Sequence, residues 1–240
     1  MAIKSIVYNQ HTFDVSYEIL NPQASVDLVV LHGWGSNKNL MKQVFSPFMD
    51  AFRHIYIDLP GFGLSNCDSS LHTKDYANII ELFMNEINAS KDIILGHSFG
   101  GKVALLLKPK VIILVASAGI FIPKPLKIKV KIALFKILKT FGLTKFRSMF
   151  VAQDAKNMSE QMYETFKNVV DEDYSDEFAS YEGKALLCWG KEDTATPLSS
   201  AKKIDKLMKY STLKVYDGDH YFFIDYAKEV STEIEAIYNV

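Results

Sequence analysis

Six short apolar runs recur along the chain: VDLVVLHG (26–33), HIYIDLPG (54–61), DIILGHS (92–98), KVIILVAS (110–117), KALLCWG (184–190) and STLKVYDG (211–218). In them Val, Ile and Leu are continuous rather than alternating, which is the pattern of a strand covered on both faces. Segments 40–52, 73–89, 102–107 and 199–209 carry helical spacing between the runs, and 226–238 closes the chain as a further helix. Strands alternating with helices predict an α/β fold around a mostly parallel sheet. Residues 3–19, IKSIVYNQHTFDVSYEI, alternate apolar with polar instead, and predict an antiparallel hairpin at the sheet edge.

One stretch breaks this rhythm. More than sixty residues separate the run ending at Ser117 from the one beginning at Lys184, with no strand pattern among them. Segments 127–143 and 159–170 read as helices, and Pro123 and Pro125 mark the entry. This is too long for a plain crossover. The expected organisation is a core of residues 1–118 and 183–240, with 119–182 inserted as a helical cap over one end of the sheet.

Composition narrows the class. At 240 residues, 48% of them hydrophobic and with a net charge of −1, the chain can bury one sizeable core and has no basic excess for nucleic acid. No apolar segment reaches the roughly 18 residues that a membrane span needs. The first fifteen residues lack the basic-then-apolar pattern of a secretory leader, so the expected location is cytoplasmic. Cys67 and Cys188 read as free thiols, and the six histidines are too scattered for metal-ligand spacing, so neither metal nor other cofactor is expected.

The chemistry gathers at GHSFGG (96–101), where Ser98 stands between a strand and a helix. Gly-x-Ser-x-Gly in that setting is a nucleophile elbow, in which flanking side chains would clash across a tight turn. A serine hydroxyl needs a base, commonly a histidine oriented by a carboxylate. His220 is the only histidine after Ser98, and it follows the last strand pattern. Asp193 follows the strand pattern before that, in WGKEDTATP (189–197), with Glu192 in reserve; Asp217 and Asp219 read as turn residues. The backbone N–H groups of Phe99, opening the helix, and Trp34, in the glycine-rich turn HGWG (32–35), are the expected oxyanion donors. Asp58 in DLPGFGLS (58–65) reads as structural, His32 as a residue that bonds loop backbone, and His97 as packing behind the elbow rather than serving as the base.

HGWG, DLPGFGLS, GHSFGG, the GKED…P segment (190–197) and GDH (218–220), in this order, resemble the α/β-hydrolase superfamily over nearly the whole chain outside the insertion. The resemblance implies a Ser98–Asp193–His220 triad and a helical cap after the sixth strand; the superfamily covers many reactions, and the one expected here is hydrolysis of a carboxylic ester or thioester. Haloalkane dehalogenases and epoxide hydrolases of this fold carry Asp at the nucleophile position, where this chain has Ser98. LHGWG and DLPGFGLS are similar to esterases that demethylate pimeloyl-acyl carrier protein, which often carry Trp where His97 stands. Hydrolases that split carbon–carbon bonds in ring-cleavage dienoates are the alternative, but they typically carry Asn and Trp where this chain has His97 and Tyr221. A non-catalytic binding protein on the same fold is the alternative from another class.

The insertion adds a partner. No Asp or Glu occurs from residue 93 to 153, while Lys124, Lys127, Lys129, Lys131, Lys136, Lys139, Lys145 and Arg147 cluster in the cap. Acyl carrier proteins are acidic, so a basic cap would steer one to the active-site mouth, against the plainer reading of solvated lysines. Leu126, Ile132, Phe135 and Phe141 are the expected apolar lining over the substrate.

Overall fold

A computed structural model of the chain describes residues 1–122 and 159–238. An eight-stranded sheet forms the centre: β1 (Ala2–Tyr8), β2 (His11–Leu20), β3 (Val26–Leu31), β4 (Phe52–Ile57), β5 (Ile93–His97), β6 (Val111–Val115), β7 (Lys184–Gly190) and β8 (Ser211–Tyr216). Their spatial order is β1-β2-β4-β3-β5-β6-β7-β8. Strands β3 to β8 pair in parallel, and β1 and β2 form the antiparallel edge hairpin that the alternating N-terminal pattern predicts. Asn9 and Gln10, both at positive φ (49° and 66°), make its two-residue turn.

Helices cover both faces. Helices α1 (Lys38–Phe45) and α7 (Ala227–Tyr238) lie on one face; α2 (Thr73–Glu86), α3 (Phe99–Leu107) and α6 (Leu198–Leu207) lie on the other. The continuous apolar strands follow from this layering. In β3, Leu28 and Val30 join the core with Met41 and Phe45, while Val29 and Leu31 join the opposite core with Phe83 and Val103. Every one of these residues is buried.

Three boundaries differ from the sequence expectation. The first helix ends at Phe45, not residue 52. Pro47 has no N–H with which to continue it, Met49 sits at φ 63°, and Phe52 already begins β4. The second helix stops at Glu86, just before Asn88 at positive φ. The third starts at Phe99, three residues earlier than the spacing suggests, because packing overrides the poor helix propensity of Gly100 and Gly101.

Of the insertion, the described residues show its return limb: α4 (Glu160–Val169) and the short α5 (Ser175–Ala179). The limb is fastened to the core. Leu71 N–H donates to Thr165 Oγ1 at 3.0 Å, and within the insertion Tyr174 N–H donates to the Gly119 carbonyl at 2.7 Å. Lys102, buried in α3, donates to the Val169 carbonyl at 2.5 Å and to Glu172 at 3.0 Å. Glu172 also receives the Thr73 hydroxyl. The four apolar and eight basic residues expected of the cap (124–147) lie outside the described residues. Among the described residues no helix is long and apolar enough to cross a membrane.

Candidate active site

Chain direction decides where the site sits. From β3 the chain passes to β4 on one side, then returns to place β5 on the other, so β3 and β5 lie side by side with Leu31 opposite Gly96. The loops leaving their C-terminal ends therefore diverge over a crevice, the usual ligand position in such a sheet. HGWG leaves β3 there, and Ser98 leaves β5.

Ser98 adopts φ 50° and ψ −114°, a backbone that costs a non-glycine residue of order 1–3 kcal/mol. The surroundings hold it there. Its N–H donates to the Val115 carbonyl, and its own carbonyl accepts from Gly101 and Ala118, all at 3.0 Å. The two flanking glycines are required by close approach: a Cβ on Gly96 would lie 2.4 Å from the Gly100 carbonyl oxygen, and one on Gly100 would lie 2.6 Å from that of His32. Phe99 is the first residue of α3, so its N–H is among those a helix leaves without an intrahelical acceptor.

The structure brings Asp193 and His220, chosen for their places after strand patterns, into contact. His220 Nδ1 lies 2.8 Å from Asp193 Oδ2. The other oxygen of Asp193 accepts the N–H groups of Ala195 and Thr196, at 2.8 and 2.9 Å. Burial works to raise the pKa of Asp193, but the hydrogen bonds from His220 and Thr196 outweigh it and hold the carboxyl below its usual value. The reserve acid, Glu192, is used elsewhere, accepting the Gly218 N–H at 2.6 Å. Asp217 pairs with Lys191, and Asp219 accepts the Tyr221 N–H, so both are turn residues as expected.

The loop after β3 is set by His32. Its Nε2 accepts the Leu59 N–H at 3.0 Å, which leaves Nδ1–H to donate to the Gly33 carbonyl at 2.7 Å. Burial lowers its pKa to about 4, so the ring is neutral. In a trans peptide the carbonyl and the next N–H point opposite ways. Fixing the Gly33 carbonyl toward His32 therefore turns the Trp34 N–H away from it. Gly33 itself lies against the elbow, where a Cβ would come 3.1 Å from Ser98 Cβ.

Above the crevice the Trp34 ring meets Phe62, Phe99 and Phe166 at centroid distances of 4.9, 5.5 and 5.4 Å. Phe166 belongs to α4, so the described limb of the insertion contributes to this apolar wall. A cavity of about 150 Å³ lies beside the acid, between Lys102, Ser117, Phe121, Val170 and Thr196. A larger hollow of about 680 Å³, lined by Lys184, Ser211 and Ile237, opens at the N-terminal ends of β7 and β8, the opposite end of the sheet from Ser98.

Sequence reasoning missed two side chains. Thr196 places its hydroxyl 2.8 Å from Asp193 Oδ2; the Asp-x-x-Thr spacing of a side-chain-capped turn was the available signal. Lys38 is fully buried, with Nζ 2.6 Å from Asp58 and 2.9 Å from Ser16 Oγ, and nothing in its neighbours marks it. Asp58 also accepts the Lys38 and Leu64 N–H groups, at 2.7 and 3.0 Å, which makes it the structural post of DLPGFGLS. The loop after β3 is thus tied to the loop after β4.

Known proteins resemble this chain in sequence and in fold. A pimeloyl-[acyl-carrier protein] methyl ester esterase of Vibrio campbellii is 40% identical over 78 residues, 32% of this chain and 29% of that protein. An esterase from Exiguobacterium antarcticum superposes with a TM-score of 0.77 at 20% identity, covering 98% of this chain and 99% of its own. A meta-cleavage product hydrolase from Pseudomonas fluorescens superposes at 0.73 and 17% identity, covering 98% and 97%. The model of the alpha/beta hydrolase family matches residues 28–233, a range that includes Ser98, Asp193 and His220, and the chain belongs to that family.

Proposed function

We propose that the protein is a serine hydrolase that cleaves a carboxylic ester or thioester with an apolar acyl part, using Ser98, Asp193 and His220 as a catalytic triad. The observation that carries this reading is Ser98 held at positive φ on the elbow while Asp193, 2.8 Å from His220, orients the only downstream histidine.

His220 takes the proton of the Ser98 hydroxyl as its oxygen attacks the carbonyl carbon. Asp193 keeps the proton of Nδ1 in place and stabilises the imidazolium. The N–H groups of Trp34 and Phe99 receive the developing oxyanion, Phe99 with the favourable end of the α3 dipole behind it. His220 then protonates the departing alcohol or thiol, leaving an ester between Ser98 and the acyl group. Water, deprotonated by the same histidine, attacks that ester and returns the serine.

The wall of Trp34, Phe62, Phe99 and Phe166 supports an apolar acyl group. The Vibrio campbellii relative, by its name, acts on an acyl chain carried by an acyl carrier protein. With the basic residues 124–147, this favours an acidic carrier as the partner of the cap, residues 119–182.

A fluorophosphonate probe tests the chemistry: it labels Ser98 covalently in the wild-type protein and leaves Ser98→Ala unlabelled. Absence of wild-type labelling would reduce the protein to a non-catalytic member of its family. p-Nitrophenyl esters of graded chain length are expected to turn over faster than a ring-cleavage dienoate, and the reverse order would move the reaction to carbon–carbon hydrolysis. Capture of acyl carrier protein at low salt, lost at high salt, tests the partner; salt-independent behaviour returns the lysines to solvation.

A further inference from the structure

The triad is assembled from strands that are not neighbours. β6 and β7 separate β8, which precedes His220, from β5, which precedes Ser98. The segment carrying His220 must therefore reach back across two strand ends. Asp193, at the end of β7, holds the ring of His220 from one side. Something must hold its backbone from the other.

His97 is the last residue of β5 and is buried. Its ring lies 4.8 Å from the ring of His220, 5.4 Å from Tyr221 and 4.7 Å from Phe223. Its Nε2 is 3.2 Å from the His220 carbonyl oxygen. A carbonyl only accepts, so the ring proton sits on Nε2 and Nδ1 carries a lone pair. That Nδ1 is buried without a hydrogen-bond partner, and it faces Gly33, where a Cβ would come within 2.8 Å. One ring is thus wedged between the loop after β3 and the segment after β8, while its own backbone leads into Ser98.

We propose that His97 is a positioning residue, holding the backbone of His220 in register with the Ser98 elbow through its Nε2–H···O=C bond. This rests on the triad reading above. The ring suits the task because it stays neutral: burial lowers its pKa to about 3, so it sets no second positive charge beside the imidazolium that His220 becomes. It also accounts for a buried nitrogen left unpaired. The donor is needed on one side of the ring, and a glycine fills the other.

His97→Gln and His97→Met separate this role from plain packing. The two side chains are similar in length, and only Gln can present an N–H near the position of Nε2. Both are compared with wild type for the rate of Ser98 labelling by a fluorophosphonate, and for kcat and KM on a p-nitrophenyl ester. A misplaced base slows chemistry without weakening substrate binding, so His97→Met should lose about tenfold in kcat and in labelling rate, with KM within about twofold. His97→Gln should recover to within about threefold of wild type on the same reasoning. Equal rates in the two variants, whether both fast or both slow, overturn the proposal. Nitrogen-15 spectra of wild-type protein labelled at histidine test it without a substitution: the Nε2–H tautomer is expected, and an Nδ1–H tautomer of His97 overturns it. Failure of wild-type labelling would instead remove the triad reading itself, and this role with it.

Discussion

The hydroxyl of Thr196 lies 2.8 Å from Asp193 Oδ2, the same oxygen that meets the His220 ring at 2.8 Å. It is also 3.0 Å from the Ala116 carbonyl and has a single proton to give. Given to Asp193, that proton steadies the carboxylate; given to Ala116, it ties the loop after β7 to the loop after β6. Thr196→Val keeps the shape and removes the hydroxyl. The expected result is a loss of roughly 1–2 kcal/mol in urea unfolding, the cost of one buried hydrogen bond. In turnover of a p-nitrophenyl ester, a fall of about three- to tenfold in kcat is expected from a less firmly held acid. Thr196→Ser should restore both.

Asp193 and Glu192 are adjacent, yet only Asp193 reaches His220. Asp193→Asn would leave the shape intact but offer His220 an amide, favouring the wrong ring tautomer. A fall of roughly 10⁴ in kcat is the order seen where a triad acid is changed in this way. Glu192→Gln keeps an acceptor for the Gly218 N–H and should stay within about threefold of wild type. Steady-state kinetics on one ester substrate decides between them, and comparable losses in both would move the acid off Asp193.

How far the sequence reveals this site follows from what each residue depends on. Elements buried on both sides of a sheet leave continuous apolar runs, and a strained turn demands glycine at fixed offsets, so the strands and Ser98 could be read directly. Place after a strand narrowed the acid to Asp193 with Glu192 in reserve; the distinction is made by the turn, which aims one carboxylate at His220 and the other at Gly218. Lys38 and the His97 tether were invisible because each acts on a partner more than ten residues away, which leaves no local pattern, whereas Thr196 left one in its Asp-x-x-Thr spacing and was overlooked. The early end of α1 was hidden for the opposite reason: Phe48, Met49 and Phe52 continue a helical spacing that Pro47 forbids.

The Lys38–Asp58 pair is wholly buried, with both side chains at 1% exposure or less. Removing one partner strands the other charge. Lys38→Met should therefore destabilise the fold by about 3–5 kcal/mol in chemical denaturation. Asp58 accepts two backbone N–H groups as well, so it cannot be replaced by an apolar residue without orphaning them. Asp58→Asn keeps an acceptor and removes the charge. The double variant Lys38→Met with Asp58→Asn should be more stable than Lys38→Met alone, and strictly additive losses would show that the two charges are not coupled.

Three buried histidines make the fold sensitive to acid. Burial lowers the pKa of His32 to about 4 and of His97 to about 3, and lowers that of His54, whose Nε2–H donates to the Met49 carbonyl at 2.9 Å. In the unfolded chain each returns to an ordinary value of about 6.5. Below that pH the unfolded chain takes up protons that the fold refuses, so the stabilisation is fully present above about pH 6.5 and is lost as pH falls toward 4 for His32 and 3 for His97. Each group adds a slope of about 1.4 kcal/mol per pH unit inside its window. Unfolding free energies measured in urea from pH 8 to pH 5 should be level to near neutrality and then fall steeply. His54 lies away from the elbow, so His54→Gln tests the assignment without touching the triad. The variant should show a shallower fall than wild type below pH 6.5, and an unchanged slope would remove His54 from the account.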